Sequence, residues 1–252
     1  ANQPRAGQLA TIACASNIVA SSNMTRRADL RRRKPGEYKM RKVDVPGGIA
    51  GAVNDILADL DSLAGSQPSA TQVASDCRTL PAIYHERFDL AVTSPPYLNG
   101  TNYIRNTKLE LVLLGFIHAE SQLGSLRDAG VRGGITQAAT SRSITHRIAS
   151  VEIIAERLDA CAPDKRIPHM VRAYFSDMRE VMSSVHASLR AGGCFILDIG
   201  DSKFYDVHVP TDRLLAEIAQ ELGFVVERDA VIARRHSRDR TPLVQVDLHL
   251  RK

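Results

Sequence analysis

The sequence predicts an α/β fold built on a doubly wound sheet. Short apolar runs end in polar loops, amphipathic helices alternate with them, and 252 residues suit one large α/β domain carrying an insertion. Hydrophobic residues make up 44% and charged residues 24%, which is ordinary for a globular chain. No apolar run approaches the roughly 20 residues that a bilayer crossing needs, which excludes a helical membrane protein. The start, Ala1 to Gln8, is polar and Ser16-Asn17 breaks the apolar stretch after it, unlike a secretory signal, so a cytoplasmic protein is expected. Cys14, Cys77, Cys161 and Cys194 lie far apart, with no C-x-x-C pair and no histidine at ligand spacing. Neither a zinc site nor a disulfide framework is expected.

Residues 1–70 read as a helical segment with a basic connection, and residues 71–252 as the core. Leu9 to Ser22 holds small and apolar residues without Gly or Pro, a helix ending near Asn23. From Arg26 to Lys42 there are nine basic residues against two acids, broken by Pro35-Gly36 and closed by Pro46-Gly47-Gly48. A second helix is expected from Ile49 to Leu63, with Val53, Ile56, Leu57, Leu60 and Leu63 on one face. Thr71 to Ser75 reads as a strand running into Asp76. Phe88 to Val92 reads as another, running into Thr93-Ser94-Pro95-Pro96-Tyr97. Leu109 to Ile117 reads as helix. Residues 118–168, rich in Gly, Ser, Thr and Arg, read as an insertion with one helix near Ile148 to Leu158. An amphipathic helix from Tyr174 to Leu189 turns through Gly192-Gly193 into a strand, Cys194 to Ile199. A helix over Val209 to Leu222 stops at Gly223, and Phe224 to Ala233 and Leu243 to Leu250 form the last strands.

In open parallel sheets the ligand crevice lies at the carboxyl ends of the strands, which puts Asp76 and Thr93 to Tyr97 where chemistry sits. The two prolines fix φ twice and remove two backbone donors, so the loop offers carbonyl oxygens beside an aromatic wall. An exocyclic amino group on a nucleobase needs such acceptors for its N–H bonds and a stacking partner for its ring. The chain carries a net charge of +5. Its basic clusters, Arg26 to Lys42 with Arg31, Arg32 and Arg33, and Arg234, Arg235, His236, Arg238 and Arg240, are either phosphate-contact surfaces or solvated loops.

The run T-S-P-P-Y-L-N-G-T-N-Y-I-R-N-T-K-L-E-L, following the strand F-D-L-A-V, resembles the catalytic motif of S-adenosylmethionine-dependent amino-methyltransferases. These enzymes methylate cytosine N4 or adenine N6 in DNA, and the likeness is to their T-S-P-P-Y branch. S-L-R-A-G-G-C-F-I-L-D-I-G-D-S resembles the family's later helix, turn and strand, so the resemblance covers residues 71–117 and 171–250. It implies that the Ser94 side chain and the Pro95 carbonyl hold the amino hydrogens, that Pro96 shapes the loop, and that Tyr97 stacks on a base flipped out of the duplex. Asp76, with Thr93 and Ser94, would contact the cofactor; capping a turn is the other reading of Asp76. Asn99, Asn102, Tyr103 and Arg105 would contact DNA or cap the next helix. No metal is implied.

The family's glycine-rich cofactor loop is matched nowhere in this sequence; Gly47-Gly48 and Gly133-Gly134 follow no strand, and D-I-G-D lacks the further glycines. With the family's strand order 3-2-1-4-5-7-6, strands 3 to 7 are expected here. Strands 1 and 2 are expected from an N-terminal part that was cleaved or is carried by a second polypeptide. The alternatives are an RNA or protein-glutamine methyltransferase and a non-catalytic nucleic-acid-binding subunit.

Overall fold

The structure is a computed structural model and describes residues 5–26, 30–38, 41–65, 69–98, 102–138, 142–237 and 239–252. They form two compact units, one of residues 1–71 and 101–127, the other of residues 72–100 and 128–252.

The first unit is mostly helical. α1 (Arg5–Ser21) packs against α3 (Val45–Ser62), between which lie a short hairpin, β1 (Met24–Arg26) with β2 (Leu30–Arg32), and the single turn α2 (Pro35–Tyr38). α3 starts where it does because Asp44 caps it, its carboxylate accepting from Gly47 N at 2.8 Å, with Pro46 in the first turn where no N–H is needed. Asn17 Nδ2 donates to the Gly48 carbonyl at 2.6 Å and ties α1 to the start of α3. α4 (Tyr103–Asn106) is capped by Asn102, and α5 (Lys108–Leu113) ends four residues before the predicted Ile117 because Gly115 turns the chain at φ +75°. Arg26 joins these pieces, donating from Nε to the Asn106 carbonyl at 3.0 Å and pairing with Glu110.

The second unit holds the sheet. β3 (Phe88–Thr93) follows a 3-10 turn at Ala82–Tyr84, and α6 (Leu123–Ala129) carries the chain back to this unit. Then come α7 (Ile135–Ala138), α8 (Ala149–Cys161), α9 (Arg166–Ser188), β4 (Leu189–Gly200), the hairpin β5 (Ser202–Phe204) and β6 (Val207–Val209), α10 (Thr211–Glu221), β7 (Val225–His236) and β8 (Pro242–Arg251). The four-stranded sheet has the order β3-β4-β8-β7; β3 and β4 are parallel, and β8 is antiparallel to both of its neighbours.

Alternation builds the core. Phe195, Leu197 and Ile199 of β4 and Val246, Leu248 and Leu250 of β8 are buried on one face, where Met170, Tyr174, Met178 and Met182 of α9 and Leu214, Leu215 and Ile218 of α10 meet them. Each such side chain contributes about 1.5–3 kcal/mol by leaving water. The other face carries Cys194, Ile196 and Asp198 on β4, and Leu90 and Val92 on β3 are 54% and 65% exposed.

Two sequence expectations are corrected. Thr71 to Ser75 is not a strand. Its only apolar residues are Val73 and Ala74, and no neighbouring strand pairs it, so the described sheet has four strands and no strand three. The helix expected from Val209 starts at Thr211, because Val207 to Val209 pairs with Ser202 to Phe204 across a turn in which Tyr205 takes φ +52°. No helix of the described residues is long and apolar enough to cross a membrane. Among the described residues no cluster of three or more His, Cys, Asp or Glu side chains is placed to hold a metal ion.

Candidate active site

Because β3 and β4 run parallel, with Thr93 beside Leu197, the loop after β3 emerges at the same end of the sheet as Gly200-Asp201. Ser94 is exposed, Pro95 is buried, and Pro96 and Tyr97 are half-buried. Leu98 closes the loop, 2% exposed, its carbonyl accepting from Ser202 Oγ at 2.8 Å.

Tyr97 is held on several sides. Its hydroxyl donates to Asp198 Oδ1 at 2.9 Å, and Gln245 Nε2 donates to the same oxygen at 2.8 Å, so β4 and β8 both fix the ring. The Arg235 guanidinium lies 5.5 Å from the ring centroid, in cation–π contact, and donates to the Asp201 carbonyl at 2.7 Å. Glycine at position 200 leaves room for this contact: a Cβ there would stand 2.3 Å from Arg235 Nη2 and 3.3 Å from Tyr97 Cε2, so the guanidinium would have to shift. Burial first, then the bond to Asp198 and its charge, push the Tyr97 phenol up to about 12, with the Ser94 hydroxyl and the Arg235 charge acting the other way. The phenol is a fixed donor at neutral pH and cannot serve as a base.

Behind the loop a cavity of about 220 Å³ is lined by Cys77, Thr93, Ser94, Pro95, Met178 and Phe195, among others. It is smaller than the roughly 300–1,000 Å³ of usual ligand pockets. Asp76, beside Cys77, caps a turn: its Oδ1 accepts from Arg78 N at 2.9 Å and from Nε at 3.0 Å, and its Oδ2 from Nη2 at 2.7 Å. The side-chain bond from Arg78 is the main cause that holds this carboxyl below the ordinary carboxylate range. Thr93, Ser94 and the neighbour of Asp76 thus share one cavity, lined also by Val131, but among the described residues no glycine-rich loop following a strand adjoins it. Alone they do not fit the whole of S-adenosylmethionine.

The remaining predicted contacts are divided between the units. In the first, Arg31 is paired with Glu37 through two bonds of 2.8 Å, Arg32 is exposed and Arg33 is half-buried. Asn102 Oδ1 accepts from Arg105 N at 3.1 Å as a helix cap, with Tyr103 and Arg105 exposed. In the second, Arg234 is exposed on β7, whereas Arg235 turns in beneath Tyr97. Asn99 and Arg238 lie outside the described residues. Sequence reasoning missed Asp198 and Gln245 as partners of Tyr97. The signal was there, since each is a polar residue interrupting an apolar strand at the end nearest the loop.

The mixed α/β sheet with a Pro-Pro-Tyr loop at the carboxyl end of a parallel strand is compatible with a methyltransferase-like fold. Curated proteins narrow this: the chain is similar to type II methyltransferases. M.AvaI of Nostoc sp. (strain PCC 7120) is 26% identical over 195 residues, which covers 71% of this chain and 40% of that protein, and M.AvaI of Anabaena variabilis gives the same figures. M.BsoBI of Geobacillus stearothermophilus is 23% identical over 174 residues, 60% of this chain and 34% of its own. The chain therefore spans about two fifths or less of the length of these relatives. No protein-family model matches the chain, and no solved structure matches it.

Proposed function

We propose that this chain is the catalytic-loop portion of a cytoplasmic DNA amino-methyltransferase of a type II restriction-modification system. It transfers a methyl group from S-adenosylmethionine to the exocyclic amine of a flipped cytosine (N4) or adenine (N6). The observation that carries the reading is the acceptor-rich loop Ser94 to Tyr97, with its aromatic ring immobilised at the carboxyl end of β3. An aromatic amine is a weak nucleophile because its lone pair is delocalised into the ring. Ser94 Oγ and the Pro95 carbonyl hold its hydrogens and favour a tetrahedral nitrogen, while Tyr97 stacks on the base plane. The extrusion of the base costs a few kcal/mol, which stacking and hydrogen bonds in the pocket offset.

The order β3-β4-β8-β7 supports a match to strands four, five, seven and six of the family sheet. Among the described residues the outer edge of β3 has no strand partner, and Leu90 and Val92 beside it are exposed. That supports a further segment, in the same or a second polypeptide, that pairs this edge and carries the glycine-rich loop. Exposed Arg32 and Arg234 are suited to DNA phosphates, and exposed Tyr103 and Arg105 to DNA contact; the bonds of Asp76 and Asn102 favour the turn-capping and helix-capping readings.

Labelled methyl transfer to duplex DNA by the active protein, with nucleoside analysis of the product, tests this. Ser94→Ala and Tyr97→Ala should each lower turnover more than tenfold with the fold intact. Near-normal turnover in both variants would sink the catalytic assignment.

A further inference from the structure

The two prolines that make the loop rich in acceptors also deprive it of the N–H groups with which a loop normally ties itself down. The Tyr97 hydroxyl and the Leu98 carbonyl are bonded to the sheet and to Ser202; the backbone between them and Pro95 takes its place from what is packed behind it. The segment behind it is Gly130 to Gly134, in which Arg132 and Gly133 are buried. Gly133 sits so close that a Cβ there would be 3.0 Å from the Tyr97 carbonyl oxygen and 3.2 Å from Pro96 Cβ. Val131, two residues before it, lines the same cavity as Pro95 and Pro96.

That segment is fixed to the middle of α9 by an ion pair with both partners 1% exposed. Asp177 Oδ2 accepts from the Arg132 backbone N at 2.9 Å and from its Nε at 3.1 Å, while Oδ1 accepts from Nη2 at 2.7 Å. The other Arg132 donors reach the Arg142 carbonyl at 2.7 Å and the Ser143 carbonyl at 3.3 Å, and Arg142 pairs with Asp177 in turn. An apolar contact would let the segment slide along the helix. A forked pair that also takes the backbone N–H fixes its place and its orientation together.

We propose that Arg132 and Asp177 are positioning residues of the catalytic loop, acting through Gly133 as a backstop for the Pro96-Tyr97 peptide. This rests on the methyltransferase reading. Neither side chain touches the substrate; they set where the Pro95 carbonyl and the Tyr97 ring stand. Adjacent glycines provide the control, since a Cβ at Gly134 would meet only Gln137 Oε1 at an ordinary 3.5 Å.

In the active full-length protein, Gly133→Ala should lower kcat at least tenfold while the KM for DNA changes less than threefold and Tm stays within a few degrees; Gly134→Ala should alter none of these. Hydrogen exchange supplies a readout independent of turnover. The amides of Tyr97 and Leu98 should exchange faster in Gly133→Ala and in Asp177→Asn, and at the wild-type rate in Gly134→Ala. If Asp177→Asn loosens residues 130–134 but leaves Tyr97 and Leu98 protected, or if Gly133→Ala keeps full kcat, the proposal is overturned. A wild-type protein inert toward every DNA tried would instead overturn the methyltransferase reading, and the exchange comparison would still decide whether the segment holds the loop.

Discussion

Replacing Asp201 by asparagine probes the electrostatics behind the tyrosine platform. The side chain is almost fully buried at 5% exposure, one of its oxygens lies 2.9 Å from His208 Nε2, and Arg235 donates to its main-chain carbonyl. Burial first, then the hydrogen bond and charge of the Asp212 carboxyl, push its pKa from 3.8 to about 6, with His208 pulling the other way. The folded chain therefore holds this proton more tightly than the unfolded chain. The associated stability is fully present below pH 4 or so and is lost as the pH rises through about 6. Over the interval from 3.8 to about 6, at about 1.36 kcal/mol per tenfold change, the loss approaches about 3 kcal/mol. Asparagine keeps the neutral form and an N–H donor toward Asp212 at every pH. Asp201→Asn should match the wild type near pH 4 and exceed its unfolding free energy by up to about 3 kcal/mol near pH 7.5, read from urea unfolding at a series of pH values. Parallel curves for the two proteins, or a variant less stable at pH 7.5, would refute the reasoning.

Removing one partner of the buried pair by Asp177→Ala leaves Arg132 charged and unpaired and should cost about 3–5 kcal/mol, seen as a large fall in Tm. Arg32→Glu should weaken DNA binding and flatten its salt dependence, whereas Arg31→Glu should do less because Glu37 already neutralises that side chain; equal effects would contradict the pairing. The isolated chain should bind S-adenosylmethionine poorly by calorimetric titration and gain both affinity and thermal stability when a segment bearing the glycine-rich loop is supplied. Micromolar binding by the chain alone would show that the cofactor site is complete without it.

The alternating strand was legible in the sequence, since V-Q-V-D-L-H-L becomes β8, where one buried face imposes a period of two; F-D-L-A-V becomes β3 and was legible as a short apolar run ending in a polar, proline-rich loop. Thr71 to Ser75 was misread because a short half-apolar run forms a strand only when a neighbour offers its edge. The β5-β6 hairpin was hidden for the opposite reason, since its turn uses Tyr205 at φ +52° where Gly or Asn is the usual signal. α9 begins eight residues before its expected start, because a proline in the first turn, Pro168, is no obstacle to a helix. At the site, T-S-P-P-Y was visible as a contiguous motif. Its supports stood out at most as single residues and not as its partners, since Asp198, Gln245, Arg235 and Gly133 reach it from distant parts of the chain.

The Arg132–Asp177 pair also bears on when the loop acquires its shape. Its partners are 45 residues apart, and neither can shed its water until the other is in place, so the contact is unfavourable in any half-assembled chain. It should form late, after α9 has docked on the sheet. Substitutions there should then speed unfolding far more than they slow folding. With the sheet built, Asp198 and Gln245 would already hold the Tyr97 ring, and the backstop behind the Pro96-Tyr97 peptide would be the last support of that geometry to set.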